Sequence, residues 1–185
     1  MEQKTTSIWK SSVTYGIYLG LISILLSVII WAGGLIESLG LIGSAVIGVV
    51  SFIISFFLLL FFSKAYRNKE MGGYISFGEA FKFGILVVVF AAIITTIYNY
   101  IFYTIIDPDY IKNLYAVLQQ KTMIMLENAG MSDAQMDQAL EKFENIPTLG
   151  KTIRQGILSS IISGAVLSLI TAAIVKKKED TAFEE

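Results

Sequence analysis

The 185-residue sequence contains neither cysteine nor histidine. The chain therefore has no disulfide, no thiolate nucleophile, no imidazole base and no metal site built from those two residues. Glycine-rich phosphate loops, G-x-S-x-G elbows, H-E-x-x-H helices and D-x-D-x-D-G calcium loops are missing as well. We expect a protein that is not an enzyme and that uses no catalytic residue, no cofactor and no metal ion.

Charged residues are missing from four long stretches of the chain. These run from Ser11 to Ile36, Ser38 to Ser63, Phe83 to Ile106 and Gln155 to Val175, and each has at least 21 residues. A helix of about 20 apolar residues crosses the roughly 30 Å of a bilayer's hydrocarbon core. Helices of a soluble bundle carry charges every turn or two on their wet face, which excludes that class. The sequence predicts an all-α integral membrane protein with four transmembrane helices, forming a single membrane domain over residues 1–185.

Local signals set the limits of the four spans. We expect them at residues 13–31, 41–62, 83–106 and 152–175, with residues 107–147 as an extramembrane helical insertion. Ser76-Phe77-Gly78-Glu79 has the S-x-x-E form of a capping box, so helix three should begin near Phe77 and extend to about Ile106. Asp107-Pro108-Asp109 then ends that helix and opens another.

The insertion between spans three and four predicts two amphipathic helices. Apolar residues recur at helical spacing from Pro108 to Glu127, and Asn128-Ala129-Gly130 ends this helix. A second capping box, from Ser132 to Gln135, opens a short helix that ends near Glu144. We expect the two helices to form an amphipathic hairpin on the extracytoplasmic side.

Basic residues divide unequally between the two sides of the membrane. Nine of the fourteen fall on the side shared by the termini and the loop between spans two and three: Lys4, Lys10, Lys64, Arg67, Lys69, Lys82 and Lys176 to Lys178. Lysine and arginine near spans favour the cytoplasmic side, so both termini should be cytoplasmic. With a net charge of −1, nucleic acid is not an expected partner, whereas membrane lipid is.

Small residues recur every four positions inside the spans. The candidate helix-packing residues are Gly16 and Gly20 in span one, Gly40, Ser44 and Gly48 in span two, and Gly156, Ser160, Gly164 and Ser168 in span four. Small residues let helix backbones approach closely, which matters because lipid gives helices no hydrophobic reason to associate. Two interpretations stay open: packing within one chain, or a homo-oligomer interface along span four.

Three polar residues are candidates for a polar mouth or pathway. Glu79 and Lys82 lie three residues apart at the start of span three and share a helix face. They fit either a cap with a lysine reaching to lipid headgroups, or a cytoplasmic entrance. Asn99 is the only amide within the span cores. It fits either an interhelical hydrogen bond or a path for a polar solute.

The run from Tyr74 to Gly84 (YISFGEAFKFG), together with the run from Ile106 to Tyr110 (IDPDY), resembles the domain of unknown function 4199 family of Bacteroidetes membrane proteins. The resemblance covers nearly the whole chain. It implies four spans with an insertion before the last one, a bacterial source and the inner membrane. The family has no established activity, so the resemblance implies no catalytic or binding residue.

Three function classes remain for such a chain, and the first two are favoured. The first is a non-enzymatic inner-membrane protein that acts by helix association, as a homo-oligomer or with another membrane protein. The alternative is a channel or transport subunit for a small solute, which Asn99 and the Glu79/Lys82 pair favour. An enzyme that acts at the lipid surface through Asp107 and Asp109 is a third possibility, but both carboxylates already fit a helix start.

Overall fold

The computed structural model describes residues 7–178 and is helical over most of that range. Its helices are α1 (Ile8–Ala32), α2 (Leu35–Glu70), α3 (Phe77–Ile101) with a π-helical continuation (Phe102–Ile106), α4 (Tyr110–Asn128), α5 (Asp133–Glu144) and α6 (Leu149–Val175). Four helices are long and apolar enough to cross a membrane, namely α1, α2, α3 with its continuation, and α6. The predicted all-helical class is confirmed, and no β-strand occurs within the described range.

Capping chemistry explains where α3 and α5 begin. The backbone N–H of Ser76 donates to Glu79 Oε2 at 3.0 Å, while Ser76 Oγ accepts from the Glu79 N–H at 3.2 Å. At α5, the Ser132 N–H donates to Gln135 Oε1 at 3.2 Å. These contacts satisfy N–H groups that have no partner within their helix. Both helix starts therefore lie where the two sequence motifs predicted them.

Helix α2 differs from the predicted second span at both of its ends. It continues to Glu70, beyond the predicted end at Phe62, and it is broken near its start by Gly40. Gly40 has φ 67° and ψ −154°, a backbone conformation open almost only to glycine. A short helical segment before Gly40 is thereby set at an angle to the long segment that follows.

The long helices pack tightly at one end and separate toward the other. Helix α3 packs against α1 and α6, and α2 also packs against these two helices. Most of the buried side chains of α2 lie in its last third, where Leu59, Phe62 and Tyr66 are buried. In its first half, Val49 and Phe52 are exposed. The bundle is therefore closed at the carboxyl end of α2 and splayed at its amino end.

The closed end collects the start of α1, the α2–α3 loop and the end of α6. Arg67 Nη1 donates to the Val175 carbonyl at 3.0 Å, and Ile75 forms an isolated antiparallel bridge with Lys177. Ser11 Oγ donates to the Glu70 carboxylate. We call this the basic end. It carries Lys10, Lys64, Arg67, Lys69, Lys82 and Lys176 to Lys178, while Lys4 lies outside the described residues.

Helices α4 and α5 lie at the splayed end. Lys121 Nζ, on α4, donates to the Ser38 carbonyl at the start of α2 at 2.6 Å. Tyr115 and Phe143 then meet edge to face, with ring centroids 6.3 Å apart, which joins α5 to α4. Helix α4 therefore helps to hold the start of α2 at this end.

Candidate functional site

A cleft opens in the middle of the bundle because α2 diverges from its neighbours. Two adjoining cavities form it, with volumes of about 300 Å³ and 350 Å³. We call it the polar cleft. Its polar lining comes from Ser23, Ser27, Ser51, Ser55, Thr95, Tyr98, Asn99, Tyr103, Tyr110, Ser160 and Ser163. The two cavities share Ser23, Ser27, Ser55 and Asn99, so these four residues mark its centre.

Four of the ten hydroxyl groups that line the polar cleft, those of Ser23, Ser55, Thr95 and Ser163, donate to a carbonyl of their own helix. Ser23 donates to the Leu19 carbonyl and Ser55 to the Ser51 carbonyl, each at 2.8 Å. The Asn99 side chain has no hydrogen-bond partner among the described residues. An amide without a partner is costly in hydrocarbon, by about 1 to 3 kcal/mol on mutational scales. The Asn99 amide is therefore open to a hydrogen bond with a polar group that enters the cleft.

Aromatic side chains close the polar cleft toward the basic end. Tyr66 stacks on Phe83, with centroids 4.2 Å apart and planes 3° apart. Tyr15 packs against both Phe62 and Phe83, at 5.2 Å and 5.7 Å. Phe83 and the neighbouring Leu59 are fully buried. We call Tyr15, Phe62, Tyr66 and Phe83 the aromatic plug, and none of the four lines the polar cleft.

A separate polar contact lies at the splayed end of the polar cleft. Trp31 Nε1 donates to Asp107 Oδ2 at 3.2 Å, which ties the end of α1 to the break after α3. Trp31 also meets Phe102 edge to face at 5.4 Å. Burial, with a smaller contribution from the charge of Glu37, raises the pKa of Tyr110 to about 12. Tyr110 thus keeps its hydroxyl proton at physiological pH and remains a donor at the rim.

The structure does not bring the three predicted pathway residues together. Asn99 lies at the centre of the polar cleft. Glu79 is exposed and held by the cap of α3, and Lys82 is exposed at the basic end. Glu79 and Lys82 line neither cavity of the polar cleft, so the structure places them apart from Asn99.

Small residues of α1 lie against α3. So do the small residues in the second half of α6, which we call its inner half. A Cβ placed on Gly16 would lie 3.0 Å from the Val87 carbonyl, and one on Gly20 would lie 3.1 Å from Ile94 Cβ. Gly164 is buried against Val88, and Ser168 is buried against Gly84. These positions permit backbone approaches that larger side chains would prevent.

The remaining small residues have other surroundings. Gly40 forms the break in α2, and Ser44 Oγ donates to its carbonyl at 2.8 Å. A Cβ placed on Gly48 or on Gly156 would have no atom of another element within 4 Å, and Ser160 lines the polar cleft. The predicted packing stripe of α6 is therefore split into an inner half packed on α3 and an open outer half.

Sequence reasoning missed the serines that surround Asn99. The signal present was a pair of hydroxyl or amide residues four positions apart on each of three helices: Ser23 and Ser27, Ser51 and Ser55, and Thr95 and Asn99. Such a pair places two polar groups on one helix face. Three polar faces of this kind, on three helices, predict a shared polar interior.

A family model described as a protein of unknown function (DUF4199) matches residues 14–177. The chain belongs to the DUF4199 family. The match contains all of α2 to α6 and most of α1, so the polar cleft lies inside the DUF4199 region. No curated protein and no solved structure matches the chain.

Proposed function

We propose that this DUF4199 protein is a non-enzymatic membrane protein that acts by helix association, with the polar cleft receiving a transmembrane helix. That helix comes from a second copy of the chain or from another membrane protein. The observation that carries the proposal is the Asn99 amide, which faces an open cleft without a partner among the described residues. A helix that enters the cleft with a polar side chain would satisfy this amide.

The walls of the polar cleft suit a helix better than an isolated apolar ligand. Ser160 is exposed on one wall, and Gly156 lies one turn away with open space around it. Small residues permit close backbone contact, and hydrogen bonds between helices contribute roughly 0.6 to 2 kcal/mol each in lipid. The combination gives both the packing and the polar contact on which association in lipid depends.

The basic end supports an assignment of topology within the proposal. Eight lysine and arginine residues of the described chain lie at that end, which we place in the cytoplasm of a bacterial cell with the protein in the inner membrane. Both termini are then cytoplasmic, and α4 and α5 form an extracytoplasmic hairpin. The polar cleft opens toward the extracytoplasmic half of the bilayer.

Disulfide crosslinking tests the association directly, because the chain has no native cysteine. If the helix comes from a second copy, we expect Ser160→Cys to give a crosslinked dimer in oxidised membranes. If it comes from another membrane protein, we expect an adduct with that protein when a bifunctional thiol crosslinker is added. Ile162→Cys is the matched control, since Ile162 is 65% exposed on the same helix but does not line the polar cleft. Equal behaviour of the two variants would contradict a helix in the cleft.

The joined cavities favour one second candidate, a transport subunit or channel for a small polar solute. In that case water, and not protein, fills the polar cleft around Asn99. Ser160→Cys would then react quickly with a water-soluble maleimide in intact membranes and would form no crosslink. A thiol that neither crosslinks nor reacts would place the cleft against lipid and remove both candidates.

A further inference from the structure

The basic end holds a further cavity. The aromatic plug lies between this cavity and the polar cleft. The further cavity is a groove of about 820 Å³ between the start of α1 and the end of α2. We call it the basic groove and define it by Lys10, Tyr18, Phe61, Lys64, Lys69 and Glu70, all of which line it. None of these six residues lines the polar cleft, so the two cavities are distinct.

Charge in the basic groove favours an anion. Lys10 approaches from α1, whereas Lys64 and Lys69 approach from α2, so ammonium groups stand on both walls. Glu70 is the one carboxylate of the lining, and it accepts a hydrogen bond from Ser11. Three positive charges against one negative charge leave a surplus of two, on a groove that also offers the Asn68 amide as a donor.

The same groove becomes apolar in the direction of the bilayer. Tyr18 lies eight residues after Lys10 on α1, about 12 Å further along the helix. Phe61 lies three residues before Lys64 on α2 and therefore on the same side of the lysines as Tyr18. Tyr18 is 52% exposed and Phe61 is 67% exposed, so both rings present open apolar surface. The lining of the groove therefore changes from cationic to aromatic over about 12 Å along α1.

We propose that the basic groove binds the headgroup of an anionic phospholipid, with one acyl chain along Tyr18 and Phe61. A phosphodiester matches the lysines of both walls, and basic pockets between transmembrane helices are known to suit anionic headgroups. A free phosphate ion would use the lysines but would leave the two exposed rings without a contact. This inference does not depend on the function of the polar cleft, because no residue that defines the groove lines that cleft.

Lipid retention measures this binding. The full chain is placed in phosphatidylcholine nanodiscs that contain a minor fraction of phosphatidylglycerol, and the lipids retained after extraction are counted by native mass spectrometry. We expect retained phosphatidylglycerol for the wild type and a loss of about fivefold in affinity for each lysine removed. The test variant is Lys10→Gln/Lys64→Gln/Lys69→Gln.

The control variant removes the same charge from the same end. Lys82→Gln/Lys176→Gln/Lys178→Gln alters three lysines that do not line the basic groove. Equal loss of phosphatidylglycerol in both triple variants would overturn the site and leave only a diffuse surface attraction. A thermal unfolding midpoint near that of the wild type, measured in detergent, shows that each variant is folded.

Two further variants keep the proposal falsifiable if the triple variant fails to fold. Glu70→Gln removes the negative charge of the groove and should strengthen retention of phosphatidylglycerol severalfold, which a merely structural role would not do. Phe61→Ala should weaken retention of the lipid while leaving the affinity for soluble glycerol phosphate unchanged. Full displacement of the lipid by glycerol phosphate at comparable concentration would show a phosphate site and would refute the acyl contact.

Discussion

Gly40 occupies a backbone conformation that a side chain makes unfavourable. At φ 67° and ψ −154° a Cβ would also lie 3.0 Å from Lys121 Cδ on α4. That lysine is the residue that holds the start of α2 through its bond to the Ser38 carbonyl. The break at Gly40 therefore sets where α2 meets α4, and through this contact it sets how far α2 splays from the bundle.

Replacing Gly40 by alanine tests this role. We expect Gly40→Ala to destabilise the protein by about 1 to 3 kcal/mol, since the conformation is strained for any residue with a Cβ. Gly48→Ala is the control on the same helix. Gly48 is helical with open space around it, so alanine there should be neutral or stabilise by up to about 1 kcal/mol. Thermal unfolding in detergent checks both, and a lower midpoint for Gly48→Ala than for Gly40→Ala would contradict the argument.

At the scale of elements, the two halves of α6 have different surroundings. Gly164 lies against Val88, so its contact is internal to the chain. Gly156 lies two turns earlier with nothing from another element within 4 Å. A stripe that is continuous in sequence therefore serves two purposes in the proposed assembly, packing on α3 at one end and contact with a partner at the other.

Leucine substitutions separate these purposes. We expect Gly164→Leu to overpack the contact with Val88 and to destabilise the fold by roughly 1 to 3 kcal/mol. Gly156→Leu should change the free energy of unfolding by no more than an ordinary surface substitution does, about 0.5 kcal/mol. It should instead abolish the crosslink formed through Ser160→Cys. A stable Gly164→Leu protein that loses only its crosslink would move the interface to the inner half of α6.

The same elements show what a single sequence predicts and what it leaves open. Ser76 with Glu79, and Ser132 with Gln135, act over three residues, so both helix starts follow from local chemistry. The splay of α2 does not, because it depends on which helix packs against each face of α2. For the same reason Asn99 could be identified from its own span as an unusual amide. The serines that share its cleft come from other helices, and only the packing of those helices brings them together.

At the scale of the whole molecule, the closed and splayed ends differ in charge as well as in packing. The aromatic plug seals the bundle beside the lysines, and the polar cleft opens away from them. A polar opening on the side away from the cytoplasm and an anionic-lipid site on the cytoplasmic side both require one orientation. The proposed topology thus decides which side of the membrane each site faces.

Thiol labelling in spheroplasts decides that topology. Asn128→Cys places a thiol at the exposed end of α4, and Gly78→Cys places one in the exposed first turn of α3 at the basic end. Because lysine and arginine next to spans favour the cytoplasm, we expect an impermeant maleimide to label Asn128→Cys in intact spheroplasts. Gly78→Cys should react only after the membrane is permeabilised. The reverse pattern would place the basic groove in the outer leaflet and turn the polar cleft toward the cytoplasm.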